Sequence, residues 1–478
     1  MAPYFGLRGM PLVMAVTLAC STGFLLFGYD NGVFSGLTTD PLFLATMGDP
    51  DATLLGFIVA VYELGCLVGA IASAIWGESL GRRKLTAGGS LILIIGTVIQ
   101  CTSYGQAQMI VGRIVTGFGM GGITSAVPVW QCETTPAYLR GRTIAMELST
   151  LIVGIVIAYW IDYGCSGYTN SFQWRFPIAF QIVFALALIV MCFCLPESPR
   201  WLASHQRESD ALQVLCMLRD GSPEDDRVSF EFNEIKDAIA LEEEESGSWK
   251  DCFTDGGIMG WQRVAIACSA QALQEFTGTN IITYYAPYVM VHSVGLNSHQ
   301  ALLLSGGLQL WFLVASIIPW FILDKVGRRK LFIFGSLGLL HLGLDVEHVV
   351  LPLRDPPLRI RQRGSALSVV WQWLITFLVV EITPVGIQNI GWKLYIVFCI
   401  LNWATIGVVW LWYPETAGKT LESIDFLFAS QTSLRQVVKL SKQNKVDDVA
   451  VAREVQAKVH EEKEGKGVAH IDMDENND

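Results

Sequence analysis

Asp30 is a carboxylate set inside an otherwise apolar run, and Arg113 is a guanidinium inside another. An isolated charge in hydrocarbon costs several kcal/mol, so ionisable groups there are paired and mark a functional site. If the two runs span a membrane, the two residues fall at similar depth and are natural partners. A pair of this kind that separates would switch its affinity for a proton, because burial and a neighbouring cation act on a carboxylate in opposite senses. A second set is polar but uncharged. Gln274 and Asn280 stand six apart around Gly278, Tyr284 and Tyr285 follow, and Gln372, Trp373 and Thr376 lie together further on. A glycine-interrupted apolar helix is the kind of break that lines a mid-membrane site. These groups offer hydroxyl-binding donors and acceptors beside aromatic faces. A third set is ionic, comprising Glu78, Arg82 and Arg83, then Glu133 and Arg140, then Glu197 and Arg200. The eleven cysteines are scattered with no C-x-x-C pair, and no G-x-S-x-G or phosphate loop occurs. Neither a metal centre nor a cofactor is expected.

The elements that must hold these residues follow from composition. The chain has 478 residues, of which 52% are hydrophobic and 16% charged, and its mean hydropathy is +0.42. A soluble domain carries about 25% charged residues, so a soluble enzyme, a nucleic-acid binder and a disordered protein are excluded. The formal net charge of −11 comes mainly from residues 196–260, with the run Glu242–Glu245, and from the acidic tail. Apolar runs fall near 11–34, 54–76, 86–104, 107–130, 143–163 and 176–195, then 262–291, 300–323, 331–344, 365–388 and 393–413. Runs of ~20 residues crossing lipid must be helices, since each backbone group has to be satisfied within its own segment. The lysine and arginine clusters 82–84, 140–142 and 328–330 place those loops, the N-terminus and the segment 196–260 in the cytosol.

Three motifs recur in order. GESLGRRK at Gly77–Lys84 is echoed by DKVGRRK at Asp324–Lys330, Arg140-Gly141 by Arg363-Gly364, and Pro196-Glu197 by Pro414-Glu415. Two six-span halves around a cytosolic loop are the parallel repeats of a secondary transporter. The reading is an N-terminal transmembrane half at 1–195, a linker with short helices at 196–260, a C-terminal half at 261–430 and a disordered tail at 431–478. The repeat spacing is unequal. The second half is short by roughly 25 residues, about one helix with its turn. The charged, proline-broken stretch 345–357 stands where a tenth span belongs, and the ninth run, 331–344, is short.

These motifs resemble the sugar-porter branch of the major facilitator superfamily, above all fungal hexose transporters, over roughly 10–430. The matching stretches are FGYDNGV at Phe27–Val33, the GRR loop, RIVTGFG at Arg113–Gly119, PVWQCETTP at Pro128–Pro136, PESPRWL at Pro196–Leu202, QEFTGTN at Gln274–Asn280 with Tyr284-Tyr285, and PETAG at Pro414–Gly418. The resemblance implies an all-α membrane fold of twelve spans, here about eleven, and transport of a monosaccharide by proton symport. It implies Asp30 and Arg113 as the proton-coupling pair. It implies Gln274, Glu275, Asn280, Tyr284, Tyr285, Gln372, Trp373 and Thr376 as the sugar site. The cytosolic gate it implies joins Glu78, Arg82, Arg83, Glu133, Arg140, Glu197 and Arg200 to Asp324, Arg328, Arg329, Arg363 and Glu415. Two positions depart from the family, namely Glu275 for a second glutamine and Leu148, preceded by Glu147, for a sugar-binding glutamine. The expected partners are a sugar, a proton and the lipid bilayer, for a monomer in the plasma membrane with both termini cytosolic. A non-transporting sugar receptor of the same fold is the alternative, as is a defective chain. The chain as it stands is expected to transport poorly for want of one span.

Overall fold

The structure is a computed structural model and describes residues 6–136, 138–244, 252–253, 259–318, 333, 361–415, 428 and 434–441. All of the short ninth run but residue 333, the stretch 345–357, Asp324, Arg328, Arg329 and the tail beyond 441 lie outside the described residues. The described elements are helices: α1 Met10–Leu37, α2 Pro41–Thr46, α3 Ala52–Leu80, α4 Arg82–Cys101, α5 Gln106–Thr134, α6 Arg140–Cys165, α7 Phe172–Cys194, α8 Pro199–Ser204, α9 Glu208–Arg219, α10 Asp226–Glu244, α11 Gly260–Glu275, α12 Thr279–Val289, a π turn Met290–Val294, α13 Ser298–Ser316, α14 Arg361–Ile390, α15 Lys393–Trp412 and α16 Leu434–Ser441. Among the described residues, eight helices are long and apolar enough to cross a membrane: α1, α3 to α7, α14 and α15.

Local chemistry sets the helix ends. Asp40 accepts from the Leu42 amide at 2.8 Å and starts α2, and Asp51 accepts from the Leu54 amide at 2.9 Å and starts α3. Gly81, at φ +83°, turns the chain between α3 and α4 in a conformation side chains resist. The run 262–291 is not one helix. It breaks at Phe276–Gly278, with Gly278 at φ +84°, and α12 is bent again at Tyr285 before the π turn.

Packing within the first six long helices depends on small residues. Gly117 lies against the Tyr62 carbonyl, Gly121 against the Cys66 carbonyl, and Gly154 against the Leu25 carbonyl. In lipid, close backbone approach of this kind supplies the dispersion contacts that hold helices together. The later helices dock on this body. α14 runs along α3, with Gly56 against the Glu381 carbonyl, and α13 runs along α6, where the Ser149 hydroxyl donates to the Ser316 carbonyl at 3.1 Å. α12 packs on α1.

The run Ala211–Leu218 forms most of α9 and buries Ala211, Val214, Leu215 and Leu218, as its pattern suggests. Among the described residues the short helices rest on α1, α3 and α5. The Trp201 indole donates to the Glu78 carbonyl at 2.5 Å, Arg219 to the Thr134 carbonyl at 3.1 Å, and the Gly9 amide to the Met217 carbonyl at 2.7 Å. The start of the chain and the linker therefore share one face.

Candidate substrate and proton sites

Asp30 sits two turns before the end of α1, and Arg113 two turns into α5. Because α1 and α5 run in opposite directions, the two residues meet at one level. Arg113 Nη1 donates to Asp30 Oδ2 at 2.8 Å, and both side chains are 0% exposed. The guanidinium is held on other sides too. Its Nη2 donates to the Val59 carbonyl of α3 at 2.8 Å, and its plane lies 3.9 Å from the Phe34 ring and 4.4 Å from the Tyr62 ring. Cation–π contacts are strongest where water is excluded. Tyr62 of α3 and Gln181 of α7 also face Asp30.

The second set gathers around the broken helix. Glu275 and Asn280 flank the break and hydrogen-bond each other, the Asn280 amide donating. The acid that replaces the family's glutamine thus holds the two helix pieces together. Gln274 Oε1 is buried without a hydrogen-bond partner. Tyr284 donates to Glu63 Oε1 at 2.6 Å, and Tyr285 is fully buried with its hydroxyl unpartnered. Trp373, 4% exposed, meets Phe27 edge-on at 5.8 Å between centroids and keeps its indole N–H unpartnered. Thr376 donates to the Gln372 carbonyl one turn back at 2.9 Å, so that hydroxyl is committed to its own helix. Gln372 is half-buried. A cavity of about 360 Å³ opens elsewhere, beyond the end of α1 between Asp40, Asp162, Gln173 and His299, and none of these eight residues lines it.

The ionic set is built around two centres. Arg82 makes a two-pronged bond to Glu133, 3.0 Å on each prong, and a 3.3 Å contact to Glu78. Glu197 accepts from the backbone amides of Arg82 at 3.1 Å, Arg83 at 3.2 Å and Ser198 at 3.0 Å. It caps the first turn of α4, where unpaired amides favour an anion. Burial pushes the Glu197 carboxyl above its ordinary value, while the Ser198 and Arg83 amides pull it back. Arg83 enters this centre through its backbone. Its side chain donates instead to the Cys192 carbonyl at 2.7 Å, at the end of α7, where carbonyls lack helical partners. Arg140 likewise bonds the Thr135 carbonyl, at 3.4 Å, just past α5. Arg200 lies in α8, Arg363 opens α14, and the Glu415 amide donates to Ser441 at 3.0 Å. Asp324, Arg328 and Arg329 lie outside the described residues.

Sequence reasoning passed over Glu63 and Asp162 and noted Glu147 only as the neighbour of Leu148, yet all three are buried on long helices. Each is a carboxylate within or at the end of an apolar run, the same signal that singled out Asp30, and the rule applied uniformly finds them.

The family model described as "Sugar (and other) transporter" matches residues 15–355 and 349–428, two stretches that meet where the repeat spacing falls short. The chain is 36% identical to the MFS-type transporter oryC of Aspergillus oryzae, across 90% of this chain and 88% of that protein. It is 36% identical to the sugar transporter STL1 of Saccharomyces cerevisiae, across 89% and 83%. A high-affinity glucose transporter of Kluyveromyces lactis is 28% identical across 85% and 83%. Among solved structures, the proton:xylose symporter XylE bound to 6-bromo-6-deoxy-D-glucose superposes with a TM-score of 0.74 at 24% identity, covering 87% of this chain and 99% of that one. With the helical membrane architecture already described, these matches place the chain in the sugar transporter family of the major facilitator superfamily.

Proposed function

We propose that the protein is a proton-coupled monosaccharide transporter of the plasma membrane, with hexose the first candidate, working by alternating access. The observation that carries this reading is the fully buried Asp30–Arg113 pair at 2.8 Å. A neutral pair is tolerated in a dry interior, whereas either charge alone is not. Protonating Asp30 therefore frees Arg113, and a change in helix packing follows. Gln274, Tyr285 and Trp373 supply an unpartnered acceptor, hydroxyl and indole N–H for sugar hydroxyls. Glu275, Asn280, Tyr284, Gln372 and Thr376 complete the site by positioning these groups. The Arg82–Glu133–Glu78 and Glu197 centres, with Arg83, Arg140, Arg200, Arg363 and Glu415, form the cytosolic gate. They hold helix ends together in one state and release them in the other. The domain organisation proposed is a half at 1–195, a linker at 196–260, a half at 261–430 and a cytosolic tail.

The test is uptake of labelled glucose by a hexose-transporter-null yeast expressing the chain, with and without a proton gradient. A second version carries the tenth span of the Saccharomyces cerevisiae relative in place of 345–357. Gradient-dependent uptake that rises in the second version, and loses gradient dependence in Asp30→Asn, is the expected result. Uptake indifferent to the gradient in both versions would sink the symport reading.

A further inference from the structure

The Asp30–Arg113 pair has a second buried carboxylate beside it. Glu63 of α3 is fully buried, its Oε1 accepts the Tyr284 hydroxyl at 2.6 Å, and its Oε2 has no partner. It stands one residue from Tyr62, whose ring lies under the Arg113 guanidinium, and one turn from Val59, whose carbonyl that guanidinium also holds. Arg113 acts on Glu63 electrostatically as well as on Asp30. The other titratable groups facing Glu63 are Tyr62 and Cys66 on its own helix, Tyr284 and Tyr285 on α12, and Asp30 on α1. Glu381 on α14 faces Tyr285. The site thus holds one guanidinium for two fully buried carboxylates, Asp30 and Glu63.

Charge in a low-dielectric interior must come close to zero. One cation and two ionised carboxylates leave a net negative charge, and one proton on either carboxylate removes it. We propose that Asp30 and Glu63 share the transported proton, with Arg113 pairing with whichever of the two is ionised. This deepens the proton-coupled reading and rests on it. In the arrangement seen, Arg113 is on Asp30, so the proton is on Glu63. When Asp30 takes up a proton and Glu63 gives one up, the guanidinium moves along α3 to the free Oε2 of Glu63, and the Tyr284 hydroxyl is held more tightly, because it then donates to a carboxylate rather than to a neutral acid. That bond joins α3 to the broken helix of the sugar motif, so the position of one proton decides how tightly the first-half helices grip Tyr284. Protons are conserved in this step, since the one that leaves Glu63 Oε is matched by the one that arrives on Asp30 Oδ.

The test is infrared spectroscopy of the purified full chain in nanodiscs without ligand, following the carbonyl stretch of protonated carboxylic acids. Wild type is compared with Glu63→Gln and Asp30→Asn, and Glu147→Gln identifies the band of another buried acid. Removing either carboxylate leaves Arg113 one partner and no need for a proton. The expected result is loss of the same acid band in both Glu63→Gln and Asp30→Asn. Loss in Asp30→Asn is the telling arm, because Asp30 is the ionised member and a merely structural Glu63 would keep its band there. A spectrum of Glu63→Gln matching wild type, or a band that survives Asp30→Asn, overturns the proposal. Should Glu63→Gln fail to fold, Asp30→Asn decides alone. Glucose uptake indifferent to the gradient, in the chain and in the version carrying the added tenth span, would defeat the symport reading and leave the infrared result to judge Glu63.

Discussion

The surroundings of Arg113 and those of Gln274 are built on opposite plans. Around Arg113 the guanidinium has a carboxylate, a backbone carbonyl and two aromatic faces, and the helices that carry them pack glycine to backbone. Around Gln274 the helix is broken at Phe276–Gly278, and an amide oxygen, a tyrosine hydroxyl and an indole N–H are left without partners. A buried polar group without a partner costs about 1–3 kcal/mol, and both regions hold some, since Asp30 Oδ1, Arg113 Nε and the Tyr62 hydroxyl lack partners too; what sets the second region apart is the broken helix. On the proposed function, the first region stores a charge state in a rigid frame and the second takes a polyhydroxylated ligand. Coupling of that kind requires a link between them, and the Tyr284–Glu63 bond is one such link.

That contrast can be broken or sharpened by substitution. The largest effect belongs to the frame. Gly117→Leu drives a side chain into the Tyr62 carbonyl and the Gly65 backbone, and is expected to abolish the monodisperse peak in size-exclusion chromatography. Next is Arg113→Met, which leaves Asp30 buried and alone. A loss of about 3–5 kcal/mol is expected, read as a lowered Tm, with Asp30→Asn in the same chain restoring most of it. A single mutant with unchanged Tm would show that the pair is solvated. Gln274→Ala removes one acceptor from the second region. Sugar affinity is expected to fall about tenfold, since a net hydrogen bond contributes about 0.5–1.5 kcal/mol, with Tm unmoved because Oε1 has no partner to lose. The smallest effect is Arg82→Gln. Its bond to Glu133 is two-pronged but partly solvated, at 14% and 11% exposure, so about 1 kcal/mol is expected after screening. It should appear as a changed ratio of inward to outward states in double electron–electron resonance, with sugar affinity little altered.

Much of this arrangement is legible in the chain itself. The first six spans, the turn at Gly81 and the pairing of Asp30 with Arg113 follow from run length, residue type and depth counted along a helix. Those are local quantities, and a membrane fixes the common level against which depth is measured. The amphipathic run Ala211–Leu218 is legible for the same reason. Other features are not. Glu275 bonding Asn280, and Arg83 entering the Glu197 centre through its backbone, depend on how a broken or capped helix is set, which residue type does not specify. Trp373 meets Phe27, and Tyr284 meets Glu63, across helices that are far apart in sequence. Hydropathy states that a helix crosses the bilayer, but not which of its faces turns toward which neighbour. The sequence by itself therefore determined the membrane fold, the family and the pairing of Asp30 with Arg113. Only tertiary packing, through helix rotation and the docking of α12 and α14 on α1 and α3, decided which groups are satisfied and which remain open to a ligand.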